Sequence, residues 1–341
     1  MAEIRWNPMT EDWVMIASHR QNRPQMPRDW CPFCPGSGRV PDDYDVYCYD
    51  NDFPALSATP PEPDDVATGL FAVAPAYGKC EVILYSPEHR RTVPELGDEH
   101  MVKLMDLWRE RFACLRQDPL VRYVFIFENR GDAVGVTMPH PHGQIYAYPF
   151  LPKKMELELG AQSRSRRETG DCLFCRILAD ERGDGRRIID ENEHFVLYLP
   201  FWSEYPYGVQ IMARRHVGSL CELTEEEAAS LAILIRDAAG MLDALFHIRF
   251  PYMMCMHNAP VNQNPADWPD LEVKQGQPDF HFHIEFFPPM RSADKIKYNA
   301  SSETGVWAHC NTTAPEAVAV ELRDALARFR AEGPGYRDSV K

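Results

Sequence analysis

The clearest chemistry in the chain lies in one short segment, His140-Pro141-His142-Gly143-Gln144. On extended backbone alternate side chains share a face, and a proline favours an extended predecessor. His140, His142 and Gln144 are therefore expected on one side, as a site rather than a core pattern. A lone histidine is more often structural, but two histidines and a glutamine beside a glycine are not a common way to fill a core. An imidazole nitrogen is a competent nucleophile toward phosphorus at neutral pH, and a covalent adduct divides one displacement into two. A glutamine neither takes nor gives a proton as an acid or base, but it can hydrogen-bond phosphate oxygens and hold such an adduct. The pattern assigns His142 as nucleophile and Gln144 as its partner. It suits transfer of a nucleotidyl group to an acceptor that is already anionic, such as a sugar phosphate. It suits poorly the activation of water, so a hydrolase is disfavoured, and the intact segment argues against a non-catalytic zinc-binding module.

Metal-ligating residues frame this segment. Cys31 and Cys34 form a CxxC pair, and with His89 and His140 they make a tetrahedral Cys2His2 zinc set. A redox CxxC would open a helix, but Pro35-Gly36-Ser37-Gly38 follows here, so zinc is favoured. With four protein ligands the site is structural, and it pins His140 and hence the strand that carries His142. A second set, Cys172, Cys175, His216 and His281, repeats the arrangement.

That repetition organises the chain. The first copy reads CPFC, a strand EVILYSPEH ending at His89, a helix over residues 101–115, a strand VRYVFIFEN, then HPHGQIYAY. The second reads CLFC, strands HFVLYLP and GVQIMARRH ending at His216, a helix opened by Thr224 with Glu227 three residues on, a strand FPYMMCMHNAP, then HFHIEFF. Serine or threonine followed three residues later by glutamate is a capping-box signature. The pattern predicts an α+β fold of two related halves, each a mainly antiparallel sheet flanked by helices. The divisions are a catalytic half over 1–152, a polar linker over 153–171 with a helical start at MELEL, and a second half over 172–341. The linker arginines Arg164, Arg166 and Arg167 read as a solvated face, PALSATPPEPDDVA as a surface loop, and the last helix as starting at Pro315 after a Thr313 cap. Glu285 stands in the second copy where Gln144 stands in the first, so one catalytic half and one structural half are expected.

Bulk properties set limits on partners. At 341 residues the chain can bury one large core or two smaller ones. A net charge of −15 argues against broad binding to nucleic acid or membrane, both anionic. No apolar run approaches the roughly 20 residues that cross a bilayer, and the start MAEIRWNPMTEDW is unlike a signal peptide, so a cytoplasmic location is expected. In that reducing setting the ten cysteines are ligands or buried hydrophobes rather than disulfides, burial being assigned to Cys48, Cys80, Cys114, Cys221, Cys255 and Cys310.

HPHGQ, CPFC, SPEH and FENRGDAVG together resemble the galactose-1-phosphate uridylyltransferases, the HPHGQ branch of the histidine-triad superfamily, and the likeness runs from IRWNPMTEDWV to RSADKIKY. The resemblance implies two histidine-triad-like halves and a homodimer in which each active site is completed by the partner. It implies that His142 takes the uridylyl group from UDP-glucose and passes it to galactose 1-phosphate in a ping-pong cycle. It further implies that Asn51 and Asp52 hold the uridine and that Asn129, Thr137 and Gln144 contact phosphate. Arg20 and Arg23 would lie near the diphosphate, and Lys297 and Glu303 on the hexose-phosphate side. Well-known members also carry a second metal, zinc or iron, whose matching ligands here are Glu158, His257, His281 and His283. Both second-metal schemes claim His281, so one or the other is expected, with thiolate affinity favouring the cysteine set. An adenylyl-transferring sugar-nucleotide or dinucleotide phosphorylase is the alternative reading, since the chemistry at His142 would be the same and only the base pocket would differ.

Overall fold

A computed structural model describes residues 2–22 and 30–335. Strands β1 (Glu3–Asn7) and β2 (Asp12–Ile16) open the chain, followed by β3 (Tyr47–Asp50), β4 (Val73–Pro75) and β5 (Lys79–Leu84). Helix α1 (Asp98–Leu115), β6 (Tyr123–Arg130) and β7 (His142–Tyr148) complete the first half. Helices α2 (Lys153–Thr169) and α3 (Leu173–Asp184) lead into β8 (Ile188–Glu191), β9 (Phe195–Tyr198) and β10 (Gln210–Ala213). Then come α4 (Glu225–Phe246), β11 (Tyr252–His257), the short hairpin β12 (Val273–Lys274) and β13 (Gln277–Pro278), and β14 (His283–Phe287). A last hairpin, β15 (Met290–Ser292) and β16 (Lys295–Ile296), precedes α5 (Ser301–Val306) and α6 (Pro315–Glu332).

The two copies fuse into one antiparallel sheet of nine strands, ordered β3-β5-β7-β6-β11-β14-β10-β9-β8. Outward from the β6–β11 pair, where Cys255 lies opposite Phe127, β7, β5 and β3 on one side mirror β14, β10 and β9 on the other, and β8 adds one edge strand. Each half contributes the same sequence of strands outward from that pair: the central strand, then the strand carrying HxH, then the strand that runs toward the earlier histidine. The duplicated unit is thus related to its copy by a pseudo-two-fold axis through β6 and β11, and the sheet has no break between halves.

Strand alternation sorts the sheet faces. Ile83, Tyr85, Val124, Ile126, Ile145 and Ala147 join the main apolar core together with the buried stripe of α1 (Met101, Leu104, Met105, Trp108, Phe112) and residues of α4 and α6. The α4 cap is as expected: Thr224 Oγ1 accepts from the Glu227 N–H at 3.2 Å and Glu227 Oε2 accepts from the Thr224 N–H at 2.8 Å. Helix α6 starts at Pro315 with Ala314 as its cap residue, and Thr313 donates instead to Asn311 Oδ1. The opposite face carries the chemistry. There α2 and α3 cover the second half through Met155, Leu159, Phe174 and Leu178. A small sheet, β2-β1-β4, packs beside Cys80 and Tyr146 of the first half.

Two expectations are corrected here. The segment read as a linker is helical throughout 153–169. It docks because Met155 and Leu159 share one face and are buried, leaving Lys154 and Glu158 aimed at the sheet. Cys114 and Cys310 are exposed rather than buried.

Candidate active site

His142 opens β7, paired through Leu84 to β5 and flanked by β6 through Gln144 and Phe127. Its Nδ1 lies 2.7 Å from the carbonyl oxygen of His140. A carbonyl only accepts, so Nδ1 carries the proton and the lone pair of the neutral ring sits on Nε2. The ring lines a cavity of about 220 Å³ together with Gln144, Asn129, Thr137, Arg20 and Tyr146. Gly143, between the two site residues, faces the other side of the sheet, where a Cβ would fall 2.2 Å from Tyr85 Oη.

His140 itself is fully buried just before the strand. Its Nε2 donates to the Ser86 carbonyl at 2.8 Å, which turns Nδ1 toward Cys31 (3.6 Å) and Cys34 (3.7 Å). His89 Nδ1 lies 3.4 Å from Cys34 Sγ. Burial holds His140 neutral, at about 4, as a metal ligand requires. Cys31, Cys34, His89 and His140 thus converge as expected. One residue joins the two functions: the side chain of His140 belongs to the thiolate cluster and its carbonyl orients His142.

The second half repeats this arrangement at the level of individual hydrogen bonds. His281 Nε2 donates to the Ala213 carbonyl at 2.7 Å, and its Nδ1 faces Cys175 (3.3 Å) and Cys172 (3.9 Å). His216 Nδ1 is 3.6 Å from Cys175, while its Nε2 donates to Asp279 Oδ1 at 2.8 Å. Asp279 in turn accepts from Arg166 (2.6 Å) and Gln162 (2.8 Å) of α2, so Arg166 is an anchor rather than a solvated residue. Such outer partners fix the tautomer of a ligating histidine. The hydrogen bond from Cys175, with those from His216 and His281, draws the Cys172 thiol far below its ordinary value and leaves the proton on Cys175. A second cluster of Cys172, Cys175, His216 and His281 is therefore built.

The alternative set is built as well, with one ligand exchanged. Glu158, His257 and His283 gather around Glu285, not around His281. The two schemes were expected to exclude each other because both claimed His281; position along the chain removes the conflict, since His281 precedes β14 and lies against the cysteines while His283 and Glu285, farther along, lie on β14 beside α2. This third cluster occupies the pseudo-symmetric copy of the His142 cavity. His283 matches His142, and its Nδ1 likewise approaches the carbonyl two residues back, at 3.0 Å. Glu285 matches Gln144, and His257 matches Asn129, from the strand registers. Helix α2 fills what is open in the first half: Lys154 pairs with Glu285, and Glu158 Oε2 lies 3.3 Å from His257 Nδ1. His257 Nε2 is 3.0 Å from Glu285 Oε2, yet neither it nor Glu158 Oε2 has a hydrogen bond of good geometry among the described residues. Burial opposes charge on His257, but Glu158 and Glu285 outweigh it and raise the imidazole to about 9. Two carboxylates and two imidazoles whose ligand atoms lie within 4.8 Å of one another are a donor set that fits a cation.

The remaining site residues divide. Asn129, Thr137 and Arg20 line the cavity beside His142. Asn51 and Asp52 stand outside its lining: Asn51 Oδ1 accepts from the Phe53 N–H at 2.9 Å, and Asp52 is held by Arg39 (2.7 Å) and Tyr49 (2.9 Å). Tyr49, which holds Asp52, packs on Phe33, which packs on His142. Lys297 and Glu303 pair with each other at 3.3 Å near Tyr205 and do not line the cavity. Arg23 lies outside the described residues. Glu285, Asp279, Arg39, Phe33 and Tyr146 were not singled out as site residues from sequence. Tyr146 and Glu285 could have been, since each sits two residues beyond a site residue on the same strand face.

Galactose-1-phosphate uridyl transferase, N-terminal domain, matches residues 1–152, and the C-terminal domain of the same family matches 158–299. The chain belongs to the galactose-1-phosphate uridylyltransferase family. It is 39% identical to the galactose-1-phosphate uridylyltransferase of Thermotoga maritima over 95% of this chain and 98% of that one. It is 32% identical to that of Rattus norvegicus over 94% and 86%. A solved uridylyltransferase superposes with a TM-score of 0.86 at 31% identity, covering 96% of this chain and 99% of that one. An Arabidopsis thaliana ADP-glucose phosphorylase shares the fold, with a TM-score of 0.71 at 22% identity and 95% and 98% coverage. This family member is accordingly a nucleotidyltransferase with an α+β fold. Among the described residues no helix is long and apolar enough to cross a membrane.

Proposed function

We propose that His142 carries the uridylyl group between UDP-glucose and galactose 1-phosphate. The observation that supports this reading best is the 2.7 Å contact from His142 Nδ1 to the His140 carbonyl, which leaves the Nε2 lone pair as nucleophile. Nε2 attacks the α-phosphorus; the P–N bond forms as the P–O bond to glucose 1-phosphate breaks, and glucose 1-phosphate leaves with the electron pair. The positive charge developing on the ring is shared with the His140 carbonyl through Nδ1–H. A phosphate oxygen of galactose 1-phosphate then attacks phosphorus and the P–N bond breaks. No proton needs to be moved, because both the leaving group and the acceptor are anionic, and this is the role for which Gln144 is suited. Asn129, Thr137 and Arg20 bind phosphate oxygens within the cavity, and Asn51 and Asp52, next to it through Tyr49 and Phe33, bind the nucleoside.

Zinc in the two thiolate clusters would be structural, each with four protein ligands. Bound there, it would fix the position of His140 in the first half and of α3 against β14 in the second. The third cluster, with two carboxylates and two imidazoles, would take zinc or iron.

The hexose-phosphate side requires a second copy of the chain. Lys297 and Glu303 fit that role chemically but do not line the cavity of their own chain. Around them Tyr298, Val306 and Trp307 are 74%, 76% and 59% exposed, an apolar patch of the kind a partner covers. A homodimer would bring this segment to the partner's His142.

Base-labelled UDP-glucose should leave acid-labile label on the wild type and none on His142→Gly. Label taken from an adenine nucleotide in place of UDP-glucose would overturn the uridylyl assignment in favour of adenylyl transfer.

A further inference from the structure

Gln144 has a supporting residue that acts through it. Tyr146 follows two residues later on β7 and so lies on the same sheet face, lining the same cavity. Its ring is 7% exposed and packs edge-on against Phe127 at 5.1 Å, which leaves the phenol little freedom to move. Its oxygen stands between Arg20 and the amide of Gln144. Arg20 Nη1, which can only donate, lies 3.5 Å away, and Gln144 Oε1 lies 3.3 Å away. The guanidinium occupies the phenol oxygen as acceptor and polarises the O–H, and the O–H donates to Gln144 Oε1.

This order decides which end of the glutamine amide faces the reaction. With Oε1 held by Tyr146, the two N–H groups of Nε2 are directed away from it, toward the space beside His142. Reversed, the amide would offer a carbonyl oxygen to phosphate oxygens and repel them. An amide is symmetric in shape, so sterics alone do not choose between the two orientations. We infer that Tyr146 is a positioning residue, which sets the amide of Gln144 as a phosphate donor and is itself polarised by Arg20. The inference rests on His142 as the uridylyl acceptor.

A double-mutant cycle on single-turnover labelling of His142 by UDP-glucose tests it, with wild type, Tyr146→Phe, Gln144→Ala and the double variant. Removal of one neutral hydrogen bond predicts a labelling rate for Tyr146→Phe that is about 3- to 10-fold lower at saturating UDP-glucose, with Kd unchanged within about twofold. Because the hydroxyl acts through Gln144, the same substitution should change nothing further in the Gln144→Ala background. Melting temperatures of the four proteins verify that the fold is retained. A Tyr146→Phe enzyme as fast as wild type overturns the inference, as does an equal loss in the presence and absence of Gln144. A wild type that takes no label from UDP-glucose overturns the underlying reading, and the inference with it.

Discussion

Gly143 is the point at which the backbone of the site is most tightly constrained. A Cβ there would meet Tyr85 Oη at 2.2 Å, Tyr85 Cζ at 2.9 Å and the Phe127 carbonyl oxygen at 3.1 Å. Tyr85 is fully buried, packs edge-on against Trp108 and cannot swing away. To reach ordinary contact, either the ring or the strand must shift by about 1 Å, and overpacking of this kind typically costs about 1–3 kcal/mol. Gly143→Ala should lose that much stability in urea unfolding. It should also slow the labelling of His142 by a larger factor, since a misplacement of about 1 Å can cost ~100-fold in a positioned reaction. The Tyr85 hydroxyl has no hydrogen-bond partner among the described residues. Tyr85→Phe alone should therefore be nearly neutral, because it removes a buried polar atom that nothing satisfies. Combined with Gly143→Ala it removes the closest contact, and the pair should be coupled favourably by at least about 1 kcal/mol. A Gly143→Ala protein as stable and as active as wild type would refute the reasoning, as would strict additivity with Tyr85→Phe.

Three further outcomes are expected. Cys31→Ser and Cys172→Ser should each lose about one equivalent of metal per chain, measured by elemental analysis, because each removes a ligand from a different four-ligand set; unchanged content in either variant sinks that cluster. Arg130 and Asp243 form a buried, bidentate pair at 2.8 and 2.9 Å beneath the sheet, so Asp243→Ala should cost about 3–5 kcal/mol by stranding the guanidinium, and a loss under about 1 kcal/mol would contradict this. Burial pushes the Glu128 carboxyl up from 4.5 to about 7, against the opposing pull of Arg130. Its folded-state value lies above the unfolded one, so its contribution is present at low pH and is lost as pH rises through about 7. Unfolding free energy should fall by up to about 3 kcal/mol between pH 5 and pH 8 from this group alone, and Glu128→Gln should remove that component; an unaltered pH profile in the variant would exclude it.

Much of the site was legible in the sequence because its chemistry is local. His142 and Gln144 sit two residues apart on one strand, and period-two alternation delivers both to one face whatever surrounds them. The two CxxC pairs and their histidines could be matched because duplication preserved their order, and the Thr224 cap is decided by residues three apart. The α2 helix was only half legible: MELEL marks its start, but the polar residues after it conceal a buried face that exists only because the sheet lies beneath.

Residue type and short spacing were enough to mark the HPHGQ segment, the repeat and the two Cys/His clusters. How the halves join and which ligands go together came from long-range packing. Two equivalent edges, β6 and β11, pair across the pseudo-two-fold axis and make one sheet of what reads as two domains. That fusion lays α2 over the second copy of the cavity, so that Glu158 and Lys154 fill the place left open around His142, and it turns His281 toward the cysteines while Glu285 completes the third cluster. The physical reason is that these assignments depend on which sheet face a helix from elsewhere in the chain covers, a property that no local spacing records.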